Sequence, residues 1–110
     1  MPTVALRLLT VVAESILADR LARAIMAAGA TGYTISPAKG RGSRDKRSTN
    51  RGGENVRIEV VATEATAERL LHMLIEEWFP HYAVIAWIST VEVVRGDKYA
   101  GRDTPPPCAE

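Results

Sequence analysis

Val56-Arg57-Ile58-Glu59-Val60-Val61-Ala62-Thr63-Glu64-Ala65-Thr66-Ala67-Glu68-Arg69-Leu70-Leu71-His72-Met73-Leu74-Ile75-Glu76-Glu77-Trp78 is the stretch in which the hydrophobic period changes. Up to Ala62 the period is two residues: Val56, Ile58 and Val60 share one face and Arg57 and Glu59 the other, as in a half-buried strand. After Thr63 the apolar positions are Ala67, Leu70, Leu71, Leu74, Ile75 and Trp78. They recur at i, i+3, i+4, i+7, i+8 and i+11, the stripe of an amphipathic helix over about 64–78. Thr63 supplies an N-cap hydroxyl, and Pro80 stops the helix.

Working outward, residues 3–12 read as a buried strand rich in Val and Leu. Glu14 and Ser15 offer helix-start chemistry for a helix over 16–28, with Ile16, Leu17, Leu21, Ala24, Ile25 and Ala28 on its apolar stripe. Gly29 suits the position just past its end. Residues 32–36 form a short second strand ended by Pro37, and residues 83–94 form a long apolar fourth strand. The order βαββαβ predicts an α+β, ferredoxin-like domain: a four-stranded antiparallel sheet with two helices on one face. The other face carries Ile, Val and Trp side chains, and oligomerisation would cover it.

The chain has 110 residues and a net charge of +1. That length suits one domain burying roughly two-thirds of its unfolded surface. Near-neutrality excludes a polycation wrapped along nucleic acid. The single cysteine, Cys108, permits no internal disulfide, which fits a reducing compartment. Residues 1–12 lack a basic flank and a small-residue cleavage pattern, and no apolar run is long enough to span a bilayer. A cytoplasmic protein is expected.

The charge is local. Residues 38–57 carry Lys39, Arg41, Arg44, Lys46, Arg47, Arg51 and Arg57 against Asp45 and Glu54, a net of +5, and the rest of the chain carries −4. Four glycines punctuate the segment, and Val56 is its only large apolar residue. Such a composition cannot bury a core but suits anion capture: glycines let backbone N–H groups approach a phosphate, and arginine offers a fork of donors. Arg44 and Arg47 are spaced to converge on one anion. Gly40 and Gly42 lie at the root of the loop, beside a strand end. The bland alternative is a solvated excursion, but loops of this length in a compact domain are usually functional or disordered. No Walker A sequence, nucleophile elbow or metal-ligand spacing accompanies His72 or His81. No catalytic residue or metal ligand is therefore assigned, and Glu76 and Glu77 read as a solvated helix face.

The runs Gly29-Ala30-Thr31-Gly32-Tyr33-Thr34-Ile35, Lys39-Gly40-Arg41-Gly42-Ser43-Arg44 with Arg47-Ser48, and Val56-Arg57-Ile58-Glu59-Val60 resemble the PII signalling superfamily, and within it the PII-like proteins of the SbtB type. The resemblance spans about residues 4–99. It implies a domain over 1–99, a T-loop at about 38–56 and a Pro-rich tail over 100–110. It also implies a homotrimer with an adenine-nucleotide site in each cleft between subunits. Thr34 and Ile35 would lie beside the base. Gly40, Arg41, Gly42, Ser43 and Arg44 would wrap ribose and phosphate, with Arg47 as a second cationic contact. Glu59, Val61, Tyr82, Ala83, Val84 and Ile85 would line the opposite wall. The implied ligands are cyclic AMP (cAMP), AMP, ADP and ATP, the last with a divalent cation. The implied partner is a sodium-dependent bicarbonate transporter of a carbon-concentrating mechanism, which the protein would meet at the cytoplasmic face of the membrane.

The chain departs from relatives in two ways. Arg44 stands where classical PII proteins have glutamine, which argues against 2-oxoglutarate sensing. The tail has one cysteine where many SbtB relatives have a Cys-Gly-Pro-x-Gly-Cys loop. Other readings are a nucleotide-binding regulator of a different transporter or enzyme, and an RNA-binding domain of the same strand order. The latter lacks aromatic residues on the third strand for base stacking. Hydrolysis of ATP or ADP would need Glu54 or Asp45 as a base, and a non-enzymatic protein is expected.

Overall fold

The computed structural model describes residues 2–40 and 54–95. Strand β1 (Val4–Glu14) leads through a 3-10 turn (Ser15–Leu17) into helix α1 (Ala18–Ala27). Strands β2 (Thr34–Ala38) and β3 (Asn55–Ala62) follow, then helix α2 (Glu64–Met73), whose last turn widens to π-helical bonding over Leu74–Trp78, then strand β4 (Ile85–Val93). The sheet order is β2-β3-β1-β4, antiparallel throughout. This is the predicted α+β, ferredoxin-like βαββαβ arrangement.

Register explains the two layers. Leu9, Val11 and Ala13 lie opposite Val60, Ile58 and Val56. All six are buried with Leu17, Leu21 and Ile25 of the first helical segment and Leu70, Leu74 and Trp78 of the second. Both helices therefore cover one face of the sheet. Thr63 Oγ1 accepts from the Thr66 N–H at 3.3 Å, the predicted cap, a contact that contributes about 1 kcal/mol. Gly29 adopts φ +115°, and the Ala30 N–H reaches the Ile25 carbonyl at 3.3 Å while the Gly29 N–H reaches Met26 at 3.1 Å. These two bonds close α1 in a Schellman turn, for which glycine is suited.

Four details depart from the sequence reading. Ile16 is 79% exposed because it falls in the 3-10 turn before α1, where the three-residue repeat is out of phase with the stripe. Glu14 is the last residue of β1 and forms no side-chain cap. Ile75 is 53% exposed: the Phe79 N–H bonds to the Leu74 carbonyl, and this wide turn keeps Trp78 in phase with Leu74 and leaves Ile75 outside. β2 starts at Thr34 and runs through Pro37 to Ala38; an edge strand tolerates proline because its outward N–H side needs no partner.

The second sheet face has no covering layer among the described residues. Leu8, Thr10 and Val12 of β1 are flanked there by Val61, Glu59 and Arg57 of β3 and by Ser89, Trp87 and Ile85 of β4. Ile85 is 57% and Trp87 47% exposed. No helix among the described residues is long and apolar enough to cross a membrane.

Candidate functional site

One end of the sheet collects the roots of the basic loop. Ala38 at the end of β2 pairs with Asn55 at the start of β3, and Asn55 pairs with Glu14 at the end of β1. Ile85, the first residue of β4, pairs with Val12 nearby. Gly40 is the last described residue before the loop and Glu54 the first after it. The Glu54 carbonyl accepts from the Ser15 N–H at 3.2 Å, which ties the returning chain to the turn after β1. Among the described residues no atom lies within 4 Å of where a Cβ on Gly40 would stand, so a ligand has room to approach its backbone.

Strand alternation puts Thr34, Glu59, Val61 and Ile85 on the open face. Thr34, Glu59, Thr10 and Trp87 form one row across it, and Ser36, Arg57, Val12 and Ile85 form the next. Ile35 opposes Ile58 on the helix side and keeps 38% exposure because it lies on the edge strand. Tyr82, Ala83 and Val84, predicted as the start of the fourth strand, instead precede it in a tight turn. The N–H groups of His81 and Tyr82 both donate to the Trp78 carbonyl, at 3.0 and 2.9 Å, and the Val84 N–H donates to the Tyr82 carbonyl at 3.0 Å. π-Helical Trp78 thus sets where β4 can begin. Ala83 is exposed, while Tyr82 and Val84 pack against the core.

A single chain does not bring these residues into one pocket. Thr34 and Ile35 lie on the β2 edge and Ile85 on the β4 edge, with β3 and β1 between. Three interstrand steps separate the two edges by about 14 Å. Arg41, Gly42, Ser43, Arg44 and Arg47, the phosphate-binding half of the expected site, lie outside the described residues, as does Cys108.

Sequence reasoning missed a cluster next to the β4 side. The Arg20 guanidinium lies 5.3 Å from the Tyr82 ring centroid and 5.6 Å from that of Trp78, and its Nη1 donates to Tyr82 Oη at 3.3 Å. The two rings are 5.1 Å apart, tilted by 40°. Nothing in the sequence signals this: Arg20 reads as part of a polar helix face and Trp78 as core. His72 Nδ1 lies 4.0 Å from Glu76 Oε2 on the exposed side of the second helical segment, and the His81 ring meets Tyr82 edge-on at 6.2 Å. No three His, Cys, Asp or Glu residues gather as a metal site among the described residues.

Comparison with known proteins places this geometry. Residues 6–98 match the family of the nitrogen regulatory protein P-II. The chain is similar to a PII-like signaling protein from Thermus thermophilus, with 52% identity, a TM-score of 0.78, and coverage of 90% of this chain and 99% of that one. It also shares its fold with CPII from Thiomonas intermedia K12. The form bound to ADP, AMP and acetate matches at 20% identity and TM-score 0.76, over 90% of this chain and 98% of CPII. The form bound to ADP and bicarbonate matches at 20% identity and TM-score 0.76, over 89% and 97%.

Proposed function

This chain belongs to the nitrogen regulatory protein P-II family and is a PII-like signalling protein; we propose that it acts as a homotrimer of the SbtB type, binds adenine nucleotides in the clefts between subunits and, through its T-loop, regulates a sodium-dependent bicarbonate transporter. The observation that carries the reading is the division of the expected ligand residues between the two edges of one open sheet face. One chain supplies the β2 edge and the loop root, and a second copy supplies the β4 edge. The exposed Ile85 and Trp87 give that second copy an apolar surface to cover.

The ligand class is supported by the loop and by the relatives. Arg44 and Arg47 provide charge-assisted donors, and Gly40, Arg41, Gly42 and Ser43 provide a backbone that a phosphate can approach closely. CPII, which shares the fold, binds ADP, AMP and bicarbonate. In this reading AMP, ADP, ATP and cAMP compete for one cleft, with a divalent cation accompanying ATP. The number and position of their phosphates decide how the loop arginines are neutralised, and hence which loop shape is favoured. A ligand moves that equilibrium only by its differential affinity for the shapes. The favoured shape governs docking on the cytoplasmic face of the transporter, so the protein is cytoplasmic and joins the membrane periphery through its partner. No chemical step is required, and the protein is proposed as a sensor without enzymatic activity.

Calorimetric titration of the purified protein with AMP, ADP, ATP and cAMP tests the ligand class. Saturable binding at micromolar concentrations, about −8 kcal/mol at 1 μM, is expected for at least one of them. No binding of any of the four at millimolar concentration would contradict the proposal.

A further inference from the structure

The segment at 82–85 has to hold a fixed shape if it is to serve as one wall of a cleft, yet Tyr82, Ala83 and Val84 lie outside the strand ladder. Three backbone bonds fold the turn, all made within 78–84. Besides the packing of Tyr82 and Val84 on the core, Arg20 supplies a polar contact that reaches the turn from α1. Its guanidinium covers Tyr82 and Trp78 together, at 5.3 and 5.6 Å, and donates to the Tyr82 hydroxyl at 3.3 Å. Arginine suits this place because a planar, weakly hydrated guanidinium stacks on rings and donates at its edge at once.

The position of Arg20 gives the contact a second meaning. It belongs to the first turn of α1, which follows directly from the Ser15–Leu17 turn. Ser15 bonds to the carbonyl of Glu54, where the basic loop returns to the sheet. A short physical chain therefore runs from the loop exit at Glu54 through Ser15 and α1 to Arg20, Tyr82 and the β4 wall. We propose that Arg20 is a positioning residue for the nucleotide cleft: its clamp on Tyr82 and Trp78 holds the β4 wall rigid and in register with the root of the loop. The inference rests on the nucleotide reading for its consequence, but not for the clamp itself.

Two measurements separate the clamp from that reading. In the unliganded protein, amide hydrogen exchange at Tyr82, Val84 and Ile85 is followed in wild type, Arg20→Ala and Arg20→Lys. Exchange about tenfold faster in Arg20→Ala is expected, with a smaller increase in Arg20→Lys, which keeps the charge but not the planar stack. Exchange at Leu70 and Leu74 should not change, which a general loosening of the fold would not allow. ADP affinity is then measured for the same proteins: about five- to tenfold weakening is expected in Arg20→Ala, partly recovered in Arg20→Lys. Wild-type exchange at Tyr82, Val84 and Ile85 in both variants would overturn the clamp whether or not ADP binds. If Arg20→Ala does not fold, the Arg20→Lys exchange decides in the same way. If wild type does not bind ADP, the nucleotide reading and with it the positioning role are overturned, while the exchange data still decide the clamp. Unchanged ADP affinity in both variants, with wild type binding, would overturn the positioning role alone.

Discussion

Replacing Trp87 with glutamate is expected to convert the assembled protein into folded monomers and to remove nucleotide binding with it. Trp87 ends the row that runs Thr34, Glu59, Thr10, Trp87 across the open face, and it is 47% exposed in a single chain. Its neighbours on that face are Thr10, directly opposite, and Ile85, Val12, Leu8 and Ser89, none of them charged, so an interface formed here offers a carboxylate no counter-charge beside it. A carboxylate placed in such an interface loses hydration worth several kcal/mol without gaining a partner. Glu59, two strands away in the same row and about 10 Å distant, adds like charge, and Arg57, one row further on the same strand, offsets it, so the lost hydration decides the effect. The folded chain itself should tolerate the change, because the main core lies on the other side of the sheet around Leu9, Val11, Ile58 and Leu70. Sedimentation velocity should show a fall to the monomer mass with the far-UV circular dichroism retained. A Trp87→Glu protein that stays trimeric would remove the open face from the account of assembly.

The second large effect is expected from the loop. Arg44→Ala and Arg47→Ala should each weaken binding of AMP or ADP by about tenfold or more, since a charge-assisted hydrogen bond contributes about 1.5–3 kcal/mol. If the two guanidinium groups hold separate phosphate oxygens, the double variant should lose close to the product of the single effects; if they share one, the losses should fall short of additivity. Neither change should alter assembly, because the proposed subunit contact lies on the open sheet face around Ile85 and Trp87. Affinities measured for the single and double variants by calorimetry decide this. Wild-type affinity in the double variant would place the phosphate elsewhere.

Much of the fold was legible because local chemistry and global packing agree along it. The change of period at Thr63, with its cap, fixed β3 and the second helix, and the alternation Val56, Ile58, Val60 is the alternation that the core uses. What failed was phase at the ends of elements. A 3-10 turn puts Ile16 outside and a π-turn puts Ile75 outside, and both turns answer to how the helices meet the sheet, which no single segment encodes. Pro37 ended a strand in the sequence reading because its tolerance depends on β2 being an edge.

The candidate site was legible in the same uneven way. Period two puts Glu59 on the face opposite Val56, Ile58 and Val60, as in the sheet, but it does not relate Glu59 to Thr34 or Ile85 on other strands. It says nothing of strand order, so it does not reveal that Thr34 and Ile85 lie on opposite edges. Arg20 and Tyr82 are 62 positions apart, and no local pattern joins them.

Subunit mixing tests most directly whether the site is completed by a second copy. One parent carries Arg47→Ala on the loop side, and the other carries Ala83→Glu on the exposed β4 wall. Each alone should assemble and bind ADP weakly. After the two are unfolded together and refolded in equal amounts, about a quarter of the interfaces should pair an intact loop with an intact wall. Tight ADP binding should return at about that fraction of sites, measured by calorimetry against wild type. A mixture that binds ADP no better than its weak parents, while wild type refolded in the same way binds tightly, would place both halves of the site within one chain and contradict the account.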